Sequence, residues 1–172
     1  LIDAQFVILK KKKFYVCDTL KHAPKLIPLK NLIFVSNVYV GNKEIDGLFG
    51  FMDRNGKELL TFEFESVERL KNGQFMVKKL GKVGVVSQEG KLIIPCEYQD
   101  VNLFDQNKFY LVEKDGKFGI LAQNGSEILG PSFDFIKVFN EETWLVKEGS
   151  NLKYYFPRSA TWIAPKISSN DE

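Results

Sequence analysis

Glycines recurring in register along this chain restrict its fold more than any other feature. Gly47, Gly81 and Gly116 align, as do Gly50, Gly84 and Gly119, and then Gly56, Gly90 and Gly125. The steps are 34 and 35 residues in each set. The stretches "GLFGFMDRNGKELLTF", "GKVGVVSQEGKLIIPC" and "GKFGILAQNGSEILGP" open on the first glycine of each copy. Polar residues drift between copies while the glycines stay. The constraint therefore lies on backbone and packing rather than on chemistry.

The glycines do separate jobs. "RNG", "QEG" and "QNG" fall between apolar runs, where a glycine supplies the positive φ of a tight, bulged hairpin. Gly50, Gly84 and Gly119 lie inside strand patterns instead. Their neighbours Phe49 and Phe51, Val83 and Val85, and Phe118 and Ile120 share one face by period two, so each glycine points to the other face. A glycine inside a strand weakens it unless something must approach closely. Phe75, Tyr110 and Trp144 recur in "FMVKK", "YLVEK" and "WLVKE". These rings are expected to lie over the glycines.

A second apolar set follows each copy: Phe64, Val67 and Leu70, then Tyr98, Val101 and Phe104, then Phe133, Ile136 and Phe139. The three-residue spacing predicts an irregular connector or a single helical turn. It reads as core between units rather than as a ligand-lining row. One unit is then strand, turn, strand, turn, strand, anchored connector. Residues 1–172 form one repeat domain, with units at about 5–37, 38–74, 75–108, 109–142 and 143–172. The ends are looser copies. "FVILKKKKFYVCD" overlays "FMVKKLGKVGVVS" with Tyr15 at the in-strand glycine, and "LKYYFPRSATWIAPKI" places Tyr155 near the position of Gly119. The fold class is all-β, a tandem array of antiparallel hairpin or three-stranded units, open and solenoid-like with degenerate caps. A small closed β-propeller is the alternative.

These residues resemble the WG-containing repeat family, whose units carry a Gly-Lys-Trp-Gly strand, a Gly-Lys turn, an aliphatic run ending in Ile-Pro, and an aromatic-acidic stretch. "GKVGVVSQEGKLIIPCEYQDVNLF" from Gly81 to Phe104 carries the likeness best. "GKFG" and "GLFG" follow it with phenylalanine for tryptophan, and Phe49, Val83 and Phe118 stand at the name-giving position. Only Pro95 keeps the proline in register, since Gly130-Pro131 is shifted by one and Thr61-Phe62 lacks it. The resemblance covers Gly47 to Phe139 well and the flanks weakly. It implies an all-β repeat fold and an interaction role in a chiefly bacterial family, with no general enzymatic activity and no catalytic residues to carry over.

Composition narrows the function further. With 44% hydrophobic and 27% charged residues the chain is globular. A net charge of +2 argues against a nucleic-acid partner, which would need a concentrated basic face. No apolar run is long enough for membrane insertion as a helix. "LIDAQFVILKKKK" lacks the order of a secretory signal, which leaves the compartment undefined, a secreted or cell-envelope origin included.

No constellation points to catalysis, a cofactor or a metal. His22 is the single histidine and sits in the loop "KHAPK". A pairing of Cys17 with His22 has nothing to orient the imidazole. Cys17 and Cys96 read as small hydrophobes rather than metal ligands. "DRNGKE" at Asp53 is faintly like a calcium loop, but Ser87 and Ala122 replace the acid in the other copies, so a turn explains it. Lys10 to Lys13 overlay a hairpin turn and read as solvated. Carboxylates gather in the connectors, among them Glu63, Glu97, Asp100, Asp105, Asp134, Glu141 and Glu142. They give either an acidic face opposite basic turns or ordinary solubility.

The sequence thus points to a non-enzymatic scaffold that binds a protein partner through a β-repeat surface. A glycan or cell-surface module is the alternative, resting on Tyr39, Tyr154, Tyr155 and Trp162 as candidate surface rings.

Overall fold

Tight turns set the register of the sheets. Leu80-Gly81 and Asp115-Gly116 form two-residue turns in which both members have positive φ, at 50° and 73° and at 52° and 75°. That combination is the turn whose twist matches the flanking strands. The next turn in each copy carries Gly56, Gly90 and Gly125 at φ of 80°, 77° and 84°, as the sequence predicts. Asp53 serves this turn: its carboxylate accepts the amides of Asn55 and Lys57, both at 2.8 Å. The Ser87 hydroxyl accepts the amides of Glu89 and Lys91 in the same way.

The structure is a computed structural model and describes residues 5–10, 13–18, 25–27, 29–35, 38–44, 47–104 and 108–165. All regular elements among them are strands. β1 (Gln5–Lys10), β2 (Lys13–Asp18) and β3 (Lys25–Ile27) form a three-stranded sheet. β4 (Lys30–Val35), β5 (Val38–Asn42), β6 (Phe49–Asp53) and β7 (Glu58–Phe64) form a four-stranded one. Then come β8 (Ser66–Arg69), β9 (Phe75–Lys79), β10 (Lys82–Val86) and β11 (Leu92–Tyr98). β12 (Asp100–Phe104), β13 (Phe109–Lys114), β14 (Lys117–Ala122) and β15 (Glu127–Phe133) make the fourth sheet. β16 (Phe135–Asn140), β17 (Thr143–Glu148), β18 (Asn151–Phe156) and β19 (Thr161–Ile163) make the last. In every sheet the strands follow chain order, so each is an antiparallel meander open at both edges. The fold is a tandem all-β array.

Packing divides the chain into two compact units. One comprises Leu1–Arg69, Gly73–Leu80 and Val85–Leu92, and the other Leu70–Asn72, Gly81–Gly84 and Ile93–Glu172. In the first, Ile27, Leu29, Tyr39 and Met52 form one buried cluster. Phe51 meets Phe64 and Phe75 edge-on at 5.9 and 5.4 Å. In the second, Ile120, Leu129, Ile136, Trp144, Val146 and Tyr155 are buried together.

Two expectations change. The in-strand glycines are buried, but the rings of Phe75, Tyr110 and Trp144 do not lie over them. Those rings are fully buried core residues on the inner strands β9, β13 and β17. What approaches each glycine is the last strand of its own sheet. Phe118 pairs with Phe133 and Ile120 with Leu129, so the partner strand bulges opposite Gly119. Phe49 and Phe51 pair with Phe64 and Leu60 in the same way around Gly50. The bulge brings Phe62 over Gly50, Cys96 over Gly84 and Pro131 over Gly119. Those three residues occupy one repeat position. An extra-residue bulge bends its strand toward the neighbour, and only a glycine leaves room for it.

The connector is also a strand rather than a helical turn. Glu65, Gln99 and Asp134 are single-residue corners whose amides donate to the carbonyls of Lys78, Glu113 and Lys147 at 2.7, 2.8 and 2.8 Å. A corner between two strands resets the alternation of faces. An apolar residue ending one strand and one opening the next then stand three apart, which imitates a helical period.

Candidate functional site

The joins between successive sheets show where the last repeat departs from the others. Lys79 at the end of β9 reaches back to Glu63 on β7 at 2.8 Å. Lys114 at the end of β13 reaches Glu97 on β11 at 2.9 Å. The hydrogen bond from Lys79 holds the Glu63 carboxyl below the usual range. At the next join the equivalent residues are Glu148 and Ser132. An acid replaces the base and a hydroxyl replaces the acid, so this ion pair cannot form.

The in-strand glycine is lost at the same place. Val112 pairs with Gly119, whereas its equivalent Val146 pairs with Lys153. Lys153, rather than Tyr155, therefore holds the glycine position. β19 spans Thr161–Ile163 and pairs with β18 without a register shift.

These departures surround a cleft of about 280 Å³ lined by Phe133, Val146, Glu148, Asn151, Lys153 and Trp162. Its floor is the end of an aromatic ladder. Trp144, Tyr155 and Trp162 are cross-strand partners with ring centroids 5.5 and 4.6 Å apart. Phe133 follows at 5.9 Å from Trp162 with its plane tilted by 32°. Trp144 is fully buried, whereas Trp162 is 42% exposed.

The other face of the same sheet carries Phe135, Phe139, Leu145, Leu152, Tyr154 and Ile163, by alternation and pairing. In the preceding sheet the equivalent Ile120 and Leu129 are 0% and 7% exposed, because residues of the last sheet pack over them. On the last sheet Phe139 is 51% and Ile163 55% exposed.

The four rings singled out in the sequence separate accordingly. Tyr39 and Tyr155 are buried, at 1% and 6% exposure, which corrects their reading as surface rings. Each sits on the inward side of its strand, Tyr39 opposite Met52 and Tyr155 between Trp144 and Trp162. Tyr154 is half-buried on the outer face, and Trp162 alone enters the cleft. Gly50, Gly84, Gly119, Gly56, Gly90 and Gly125 shape sheets and turns and line no cleft described here. Phe133 reads in the sequence as core between units, not as a lining residue, and Val146, Glu148, Asn151 and Lys153 were not singled out there. Their signal was the break in the repeat, with Glu148 at the place of Lys79 and Lys114.

The connector carboxylates are largely neutralised. Glu63 and Glu97 pair as above, Asp134 with Lys117, Glu141 with Lys108 and Glu142 with Arg158. Asp105, His22, Lys11 and Lys12 lie outside the described residues, as does the Cys17 side chain. Cys96 is a half-buried thiol outside any disulfide.

The WG containing repeat family matches residues 49–82 and 84–118. Those residues carry WG-containing repeats. The matched WG repeats hold the Lys79–Glu63 clamp in full, and the last sheet, with its cleft, lies beyond them. No curated protein matches the chain. Solved structures of Kluyveromyces lactis Hsv2p and Kluyveromyces lactis Hsv2 are similar to it at 12% and 10% identity, with TM-scores of 0.38 and 0.35. The likeness covers 89% and 94% of this chain and 58% and 59% of those chains. The chain thus spans less than two thirds of their length, and likeness at this level carries no argument about function.

Proposed function

We propose that the chain is a non-enzymatic binding module that engages a protein partner through the outer face of its last sheet. The observation that carries this reading is the contrast between equivalent residues. Leu129 is 7% exposed beneath a neighbouring sheet, and Ile163, at the same repeat position, is 55% exposed. The equivalent face of the preceding sheet is covered by a β-sheet, so the partner presents an apolar sheet face. Lys137 and Lys147 stand among the outer apolar residues, and the partner's rim is acidic to match.

A photo-crosslinking residue placed at Leu152, with Leu80 as an exposed control, tests this in the cells from which the chain comes. The expected result is an adduct to a strand of another protein at Leu152 and none at Leu80. The purified partner then binds the Ile163→Asp chain at least tenfold more weakly than the unchanged one. Adducts only between two copies of this chain, or equal binding of the variant, contradict the reading.

A further inference from the structure

The cleft on the inner face of the last sheet is independent of that outer surface. Three repeat-equivalent positions differ around it: Glu148 for Lys114, Ser132 for Glu97 and Lys153 for Gly119. The first two remove the clamp that closes the earlier joins, and the third puts a long polar side chain where the others have bare backbone. The result couples an exposed aromatic floor to a polar rim.

We propose that this cleft binds a sugar, with one pyranose ring stacked on Trp162 and Phe133. A pyranose has an apolar C–H face and a rim of hydroxyls that both donate and accept. The cleft matches both features. Trp162 and Phe133 supply the apolar surface, 5.9 Å apart. On the rim Glu148 accepts, Lys153 donates and Asn151 does both. Among the described residues neither Glu148 nor Lys153 is held in an ion pair.

Size and charge select against the competing ligands. A volume of about 280 Å³ takes one ring-sized ligand and falls just below the range of about 300–1,000 Å³ typical of drug-sized sites. One acid and one base leave the rim without net charge, which disfavours a nucleotide phosphate. A buried aromatic side chain from a peptide would prefer a wholly apolar pocket, and three of the six lining residues are polar.

The test is a panel of immobilised neutral and acidic oligosaccharides probed with the intact chain. Three proteins are compared: the unchanged chain, Trp162→Ala, and the double variant Ser132→Glu with Glu148→Lys. The double variant rebuilds the clamp of the earlier joins without touching the core, so it stays informative where Trp162→Ala fails to fold. The inference expects one class of saccharide to bind, with at least a tenfold loss in the double variant and in folded Trp162→Ala. Ile163→Asp, on the opposite face, leaves sugar binding unchanged, which separates this outcome from that of the protein-partner reading. Folded unchanged chain that binds no saccharide overturns it. So does binding that survives the double variant, or binding of nucleosides in preference to sugars.

Discussion

Lys114 and Glu97 meet at 2.9 Å across the join between two sheets, with each side chain more than a third exposed. An exposed pair of this kind contributes about 0.2–1 kcal/mol. A double-mutant cycle with Lys114→Gln and Glu97→Gln should return a coupling energy in that range, shrinking as salt rises. The equivalent cycle on Glu148 and Ser132 should return none, because no clamp exists there. Equal coupling at both joins would show that the last join is closed like the others.

Trp144 anchors the ladder from within. Its indole N–H donates to the Asn140 carbonyl at 3.1 Å, and its ring meets Phe109 at 5.4 Å and Tyr155 at 5.5 Å. Trp144→Ala removes a fully buried ring and should destabilise the chain by about 3–5 kcal/mol in denaturant unfolding. Trp144→Phe keeps the apolar contact, loses the hydrogen bond and should cost less. A milder effect for alanine than for phenylalanine would place the ring outside the core.

Acid should weaken the fold through its paired carboxylates. Lys117 donates to Asp134, and the Gly149 amide donates to its other oxygen, holding its carboxyl below the usual range. Lys108 does the same for Glu141. A folded-state pKa below the unfolded value means stability that is present above the unfolded value, near pH ~4, and lost as pH falls through the lower folded one. Unfolding free energy should therefore hold down to about pH 5 and drop below about pH 4. Asp134→Asn should flatten that drop, and an unchanged acid limb would remove Asp134 from the account.

Much of this architecture is legible in the residues. The recurring Asn-Gly and Glu-Gly turns announce hairpins, because few residues other than glycine tolerate their φ. Gly119 announces a close approach for the same kind of reason. What approaches it is not legible, since the bulge is a property of pairing between strands and leaves no spacing of its own in the sequence. Phe75, Tyr110 and Trp144 recur just as faithfully because each fills a core position, and recurrence alone does not separate a core ring from a covering one. The three-residue beat of Phe64 and Val67 misleads for a geometric reason, because a corner between strands and a helical turn produce the same spacing. The cleft was legible only as a defect. Glu148 and Lys153 acquire meaning once Lys114 and Gly119 define what an unbroken repeat holds there.

At Gly119 a β-carbon would lie 2.7 Å from the Leu129 carbonyl oxygen and 2.8 Å from the Pro131 nitrogen. Both are backbone atoms that cannot step aside. Gly116 is the contrast, because a β-carbon there meets nothing within 4 Å and only its φ of 75° restricts it. Asparagine tolerates that conformation. Guanidinium unfolding of the two variants is the most direct measurement. Gly119→Ala should lose about 1–3 kcal/mol through overpacking, whereas Gly116→Asn should stay within about 0.5 kcal/mol of the unchanged chain. A Gly119→Ala chain as stable as the original would contradict the claim that the bulged strand fills the space beside each repeat glycine.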